Sequence, residues 1–175
     1  FVIWLEQKSA ENGRVTAFIR RFGKSDEEPK ELTPFPINLR TRVHGYGGNP
    51  LAILLVKEKL LMAWIDDNDG CLWYQRLSIR KEGTGFDLEF EDEKICLSNI
   101  SDYCLADGVI DTHRNSWIGI MEKNNRDFVV TFSLGKAFQL PQIIHTPIDF
   151  AGYLSLNPQG NCLAWVEWQR PYMPW

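Results

Sequence analysis

A four-residue pattern recurs along this chain and constrains its fold more than any other feature. Each copy has an apolar residue, a tryptophan, a second apolar residue and an acid, at residues 3–6, 63–66 and 164–167. A weaker copy at residues 118–122 has Gly119 in the tryptophan position. Repeats at irregular intervals of roughly fifty residues are typical of β-propeller blades with loops of variable length.

Turn residues divide the segments around these copies into short strands. Near the end of the chain, residues 153–156 and 161–168 flank the turn Asn157-Pro158-Gln159-Gly160, which predicts a hairpin. Glu11-Asn12-Gly13 and Asp67-Asn68-Asp69-Gly70 predict two further hairpin turns. The second of these lacks the full set of alternating acids and the closing Glu of a helical calcium loop, so we interpret it as a turn and not as a metal site.

The predicted strands group into units of similar order, each ending in a tripeptide of the same kind. We interpret the charged segment 81–93 as a connection and the segment 138–144 as an outer strand. The closing tripeptides are residues 32–34, 97–99 and 140–142. The sequence therefore predicts an all-β fold, a partial β-propeller with about two complete four-stranded antiparallel blades and two partial blades. The predicted strands are residues 2–6, 14–20, 52–56, 60–66, 71–77, 94–98, 103–111, 116–122 and 128–133.

Both ends of the chain fall inside strand-like or turn-like segments, at Phe1 and Trp175. A blade buries its faces only against neighbouring blades, so two full and two partial blades would leave apolar faces uncovered. We therefore expect residues 1–175 to be a fragment of a propeller domain within a longer polypeptide.

Composition argues against several classes of partner. The net charge of −4 and the pI of about 5.4 give no electrostatic signature of a protein that binds nucleic acid or acidic lipid. The longest apolar run, residues 51–56, is far shorter than the roughly 20 residues of a membrane helix. We predict no nucleic-acid partner, no membrane segment and no cofactor.

The four cysteines have no Cys-x-x-Cys spacing, which favours reduced core thiols in a cytoplasmic protein over disulfides. Asn99-Ile100-Ser101 has the form of a glycosylation acceptor, which would carry no meaning in the cytoplasm. The cysteines are Cys71, Cys96, Cys104 and Cys162.

The segment 38–48 has the most distinctive side chains of the chain. It combines Arg40, Arg42, His44 and Tyr46 with Gly47-Gly48, and these glycines permit positive φ angles and close backbone approach. One interpretation is a binding loop that faces a channel or another domain; the other is that Arg and Tyr pack between two blades. A nucleotide loop is not indicated, because no helix follows the glycines.

Catalytic motifs are absent from the sequence. It contains no Gly-x-Ser-x-Gly elbow, no His-Glu-x-x-His and no Cys/His cluster with metal spacing. Asp107 and Asp111 lie on a predicted innermost strand, where their side chains could face a central channel. A pair of carboxylates could serve a glycosidase, but roles in turns and at strand ends are the simpler interpretation.

Several segments, in their order and spacing, resemble a known pattern: residues 32–34 (Leu-Thr-Pro), 40–48 (Arg-Thr-Arg-Val-His-Gly-Tyr-Gly-Gly), 106–111 (Ala-Asp-Gly-Val-Ile-Asp), 154–160 (Leu-Ser-Leu-Asn-Pro-Gln-Gly), and 163–168 followed by 171–175 (Leu-Ala-Trp-Val-Glu-Trp, then Pro-Tyr-Met-Pro-Trp). Together they resemble the N-terminal propeller of the prolyl oligopeptidase family. Within that family the chain is most similar to bacterial dipeptidyl or acylaminoacyl peptidases.

This resemblance implies that a C-terminal α/β-hydrolase domain, absent from this chain, carries the catalytic Ser, Asp and His. The propeller would cap that active site, limit access to short peptides and contribute residues to substrate binding. Arg40, Arg42, His44 and Tyr46 are the first candidates for this contact, with Asp107 and Asp111 second. The fragment alone would be inactive, and the whole protein could form oligomers.

The sequence departs from the family at two places. Relatives commonly have Glu where this chain has Gly45, and a propeller carboxylate can hold a peptide N-terminus in this family, so that role is in question here. Relatives usually show Ser-Pro-Asp-Gly at the turn that begins at Asn157, and Asn-Pro-Gln-Gly should still form it. The alternatives to a peptidase are a non-enzymatic propeller acting as a protein-interaction platform and a glycosidase that uses Asp107 or Asp111.

Overall fold

Residues 1–83, 85–99 and 102–173 are described by a computed structural model. Only Asn99 of the glycosylation triplet 99–101 is among the described residues, and the last two residues of the segment 171–175 lie outside them. The described residues form strands, turns and two short 3₁₀ turns, Ser9–Glu11 and Val43–Gly45. Among them, no helix has the length and apolar character needed to cross a membrane.

The described strands form four antiparallel sheets, I to IV in chain order. In each sheet, consecutive strands are hydrogen-bonded neighbours, except that β8 pairs with β6. Sheet I contains β1 (Val2–Lys8), β2 (Arg14–Arg20) and β3 (Lys30–Glu31); sheet II contains β4 (Leu51–Val56), β5 (Lys59–Ile65), β6 (Leu72–Glu82), β7 (Gly85–Phe90) and β8 (Ile95–Cys96); sheet III contains β9 (Cys104–Asp111), β10 (Ser116–Lys123), β11 (Arg126–Ser133) and β12 (Gln142–His145); sheet IV contains β13 (Phe150–Leu156) and β14 (Leu163–Trp168).

Three apolar clusters join each sheet to the next one. The cluster around Trp64 joins sheets I and II, the cluster around Trp117 joins sheets II and III, and Ile120 packs with Leu154 between sheets III and IV. Successive meanders stacked face to face are the arrangement that a partial propeller predicts. The all-β class and the repeated antiparallel sheets are therefore confirmed.

The recurring Trp-x-acid pattern has a simple basis in strand geometry. Residues two apart on a strand share a face, so the indole N–H can reach the acid. Trp4 Nε1 donates to Glu6 Oε2 at 3.4 Å in β1, and Trp165 Nε1 donates to Glu167 Oε1 at 2.6 Å in β14. In β5 the fully buried Trp64 does not make this bond.

In the weaker copy of the pattern, in β10, Gly119 stands where the other copies have tryptophan, and the ring of Trp117, two residues earlier, lies over it. The fully buried indole of Trp117 lies over Gly119 and over Gly108 of β9. A Cβ atom at either glycine would overlap the ring. Gly119 is therefore the partner that lets Trp117 fill the space.

The first two closing tripeptides have equivalent roles, as predicted. The hydroxyl of Thr33 accepts a hydrogen bond from the backbone N–H of Ala17 at 2.9 Å, and the hydroxyl of Ser98 accepts one from that of Leu72 at 2.9 Å. Each buried hydroxyl thus extends a sheet past the end of its short outer strand.

The third tripeptide was predicted wrongly. Leu140 is 76% exposed, whereas Leu32 and Leu97 are fully buried. In this sheet the hydrogen bond equivalent to those of Thr33 and Ser98 is made by Gln139, which precedes the tripeptide. Its side-chain oxygen accepts a hydrogen bond from the Ser133 N–H at 3.0 Å. The outer strand β12 consequently begins only at Gln142, not at residue 138.

The interpretation of residues 81–93 as a connection was also wrong. Strand β6 continues to Glu82 and forms a hairpin with β7. Phe86, which is buried, meets the ring of Phe1 edge-on at 5.1 Å, and Lys30 pairs with Asp87 at 3.0 Å. The alternating apolar residues of β7 were hidden among charged neighbours, because its other face is solvated.

All four cysteines are free thiols, but they are not all in the core. Cys71 and Cys96 are buried, and burial raises the pKa of both thiols, that of Cys71 to about 12. Cys162 is exposed, in contrast to the prediction.

Replacing Gly119 with Ala tests the packing of Trp117. The new methyl group would overlap the indole, so we expect a loss of about 1–3 kcal/mol in the free energy of unfolding. Thermal unfolding followed by near-UV circular dichroism measures this. Gly135→Ala is the matched control, since the nearest atom to its added methyl would be 3.6 Å away. Equal melting temperatures for the two variants would contradict this packing.

Candidate functional site

A concavity of about 980 Å³ opens where the first strands of sheets III and IV meet the loop 41–49. Its lining combines carboxylates, aromatic rings and one guanidinium group. The lining side chains used below are those of His44, Tyr46, Asp107, Asp127, Phe150, Tyr153, Trp168 and Arg170.

Two β-bulges at matching positions shape the floor of this concavity. In β9, Asp107 and Gly108 together oppose Gly119 of β10; in β13, Tyr153 and Leu154 together oppose a single residue of β14. The first residue of each bulge is left-handed, with φ of 54° at Asp107 and 58° at Tyr153. A bulge redirects the side chain at which it occurs, and here both of these side chains line the concavity.

Asp107 holds the glycine loop against strand β9. Its Oδ1 accepts a hydrogen bond from the Asn49 N–H at 2.7 Å, and its own N–H donates to the Asn49 carbonyl at 3.0 Å. A Cβ atom on Gly48 would lie 2.8 Å from Asp107 Oδ1, so this approach requires glycine. Gly47 has a φ of 82°. Both properties expected of Gly47-Gly48, a positive φ and close approach, are therefore present.

His44 joins the same loop to sheets III and IV. Its Nε2 lies 2.6 Å from Asp127 Oδ1 of β11, and its ring meets that of Phe150 edge-on at 5.1 Å. Asp127 Oδ2 accepts a hydrogen bond from the Ala151 N–H at 3.0 Å. Burial raises the pKa of the Asp127 carboxyl, an effect that these hydrogen bonds only partly offset.

Aromatic rings form the wall on the side of sheet IV. Phe150 and Trp168 stack with 5.9 Å between ring centroids, and Tyr153 lies 6.4 Å from Trp168. The guanidinium of Arg170 lies 5.3 Å from the centroid of Phe150. Phe150 is thus in contact with three other side chains, those of Trp168, Arg170 and His44, whereas Tyr153 is 70% exposed.

The structure brings three of the six predicted site residues into the concavity. His44, Tyr46 and Asp107 line it, and Tyr46 is 95% exposed at its rim. Arg40 and Arg42 do not line it; Arg42 Nε donates to Asp67 Oδ1 at 2.8 Å on the surface.

Asp111, the sixth predicted residue, supports the turn between β9 and β10. Its fully buried carboxylate accepts bonds from the backbone N–H of His113 at 2.9 Å and of Arg114 at 3.2 Å, and from the Arg114 guanidinium at 2.9 Å. Burial alone would raise the pKa of Asp111, but the hydrogen bonds from Arg114 and His113 outweigh it, so the pKa is lowered.

Sequence reasoning missed Asp127, Tyr153, Trp168 and Arg170 as members of the site. Tyr153 and Trp168 belong to predicted strands, and the bulge that turns Tyr153 into the concavity has no turn residue of its own. The one available signal was the resemblance of residues 163–168 and 171–175 to a family pattern, which includes Trp168 but not Arg170.

Replacing Asp111 with Asn tests its structural role. We expect the free energy of unfolding to fall by about 1–3 kcal/mol at neutral pH, because hydrogen bonds to a charged group are lost or weakened. A lowered folded-state pKa means that this stability is present above the unfolded value of about 3.9 and disappears as the pH falls through the folded value. The gap in melting temperature between native protein and variant should therefore narrow from pH 7 to pH 3. A gap of constant size would contradict this role.

Two solved structures are similar to this chain over nearly its whole length. One is a puromycin-hydrolyzing peptidase of Mycobacterium tuberculosis, with a TM-score of 0.74, 24% identity, and coverage of 99% of this chain and 27% of that one. The other is a puromycin hydrolase, with a TM-score of 0.69, 24% identity and the same two coverages, 99% and 27%. No protein-family profile and no curated protein sequence matches the chain. The chain spans about a quarter of the length of these peptidases and has the fold of the part that it matches.

Proposed function

We propose that this chain is part of the propeller of a serine peptidase that removes residues or short units from peptide N-termini. The observation that carries the proposal is the likeness over 99% of the chain to part of two solved peptidases. The sequence resemblance to the prolyl oligopeptidase family, based on different observations, supports the same assignment. In this account sheets II and III are complete blades and sheets I and IV are partial ones.

The catalytic residues would lie on an α/β-hydrolase domain of the same polypeptide. These 175 residues contain no Gly-x-Ser-x-Gly elbow, so the chain would be inactive alone. The neighbours' chains are much longer than the part matched, which leaves room for such a domain. The propeller would then admit short peptides to the active site. The free thiols support our proposal of a cytoplasmic location.

Asp107 is our candidate for contact with the substrate's N-terminal ammonium group. Its side chain lines the concavity; Oδ1 accepts a bond from the Asn49 N–H, and Oδ2 lies close to Gly152. Gly45 offers no carboxylate where relatives have Glu, and Asp107 would supply the negative charge from a neighbouring strand. Tyr46 and His44 line the same opening and would contribute to the fit of the peptide.

Hydrolysis of aminoacyl and acylaminoacyl anilides by the full-length polypeptide tests the proposal. We expect activity that a serine-reactive fluorophosphonate abolishes, and no activity from the 175-residue segment. No hydrolysis by the full-length polypeptide would contradict the peptidase function and favour the interaction platform.

Asp107→Asn in the full-length polypeptide tests the ammonium contact. Asn can still accept the bond from Asn49, so the change removes the charge and keeps the loop in place. We expect KM to rise about 10-fold for substrates with a free N-terminus, which corresponds to ~1.4 kcal/mol, and to change little for N-acylated ones. Asp111→Asn, on the same strand but outside the concavity, is the control and should leave KM unchanged. An equal rise in KM for both substrate types would exclude the ammonium contact.

A further inference from the structure

Tyr153 has a backbone conformation that tyrosine rarely adopts. Its φ is 58° within a strand, in the left-handed region that favours glycine, asparagine and aspartate. Asp107, at the matching bulge, compensates through its hydrogen bonds to Asn49. Among the residues that the structure describes, the Tyr153 hydroxyl has no hydrogen-bond partner. Strained conformations of this kind concentrate at binding sites and at active sites.

Packing against the described residues does not explain why a tyrosine is present at this bulge. A core side chain would recover the cost of the strain by removing apolar area from water, but Tyr153 is 70% exposed. The next residue, Leu154, fills the core instead. The bulge thus places an aromatic ring in the concavity at a cost that local packing does not offset.

The ring of Tyr153 is well placed to bind a flat group. Its contact with Trp168, at 6.4 Å between centroids, helps to fix its orientation while leaving most of its surface open. Phe150, a second aromatic residue of this wall, is buried and is in contact with Trp168 and Arg170, and Trp168 itself packs between Phe150 and Tyr153. Tyr46 is open, but none of the ring contacts within the described part of the chain involves it.

We infer that Tyr153 is a specificity-determining residue that stacks on an aromatic group of a peptide substrate. This inference rests on the proposed peptidase function and deepens it, because it names aromatic side chains as the preferred class. Offset stacking gives aromatic pairs an advantage over aliphatic groups of similar size. Tyr153 therefore selects aromatic over aliphatic peptides, and its left-handed backbone is the conformation that presents the ring.

Tyr153→Asn in the full-length polypeptide tests the inference, because Asn accepts the left-handed backbone and removes the ring. Inhibition constants are measured for Phe-Ala and Ala-Phe, and for Leu-Ala and Ala-Leu, against one anilide reporter. We expect the constants of the aromatic dipeptides to rise about 3- to 10-fold and those of the aliphatic ones to stay within about twofold. The melting temperature should be unchanged or higher, since the strain is relieved.

Two further variants complete the design. Tyr153→Phe keeps the ring and should retain the native preference. Phe22→Asn removes another exposed aromatic ring, next to the end of β2 and outside the concavity, and should change neither set of constants. An unchanged ratio between aromatic and aliphatic dipeptides in Tyr153→Asn would overturn the inference, whether or not the melting temperature falls.

Failure of the proposed function would be recognised separately. If the full-length polypeptide hydrolyses no reporter, calorimetric titration with the same dipeptides replaces inhibition. Weaker binding of the aromatic dipeptides to Tyr153→Asn than to native protein would then support the inference without peptidase activity. Equal binding to both proteins, or no binding to either, would overturn it.

Discussion

Burial of sheet faces against neighbouring sheets is the interaction on which the rest of this structure depends. None of the four sheets has an apolar interior of its own, and each of the three clusters takes side chains from two successive sheets. Large rings such as Trp64 and Trp117 are fully buried where the preceding sheet packs against them. The order of the sheets therefore follows the chain, and every site at a seam between sheets depends on this stacking.

The geometry of the concavity follows from the same packing. Trp117 requires glycine at positions 108 and 119, and Gly108 is half of the bulge that opposes Gly119. That bulge directs Asp107 into the concavity, where it binds the glycine loop through Asn49. A buried ring in the core of one sheet thus helps to position a carboxylate at the site, and the equivalent bulge in sheet IV positions Tyr153.

The conformation of the loop that carries His44 depends on its local sequence, whereas its position depends on tertiary contacts. Its glycines provide positive φ and close approach, two properties that residue type alone predicts. Its attachment depends on groups far along the chain, since His44 contacts Asp127 of sheet III and Phe150 of sheet IV. If the chain admits short peptides to an active site, as we propose, such anchoring would give the opening a defined shape.

The sequence by itself determined the all-β class, the hairpin turns and the equivalence of the segments around Thr33 and Ser98, because turn residues and alternating patterns act locally. It did not reveal the hairpin of β7, whose apolar face is defined only by the sheet that it covers. For the site, residue types singled out His44, Tyr46 and Asp107, but the same reasoning placed Asp111 beside them. Only the tertiary structure separated these residues and added Tyr153, because a bulge is decided by the register between strands and by the rings packed beneath it.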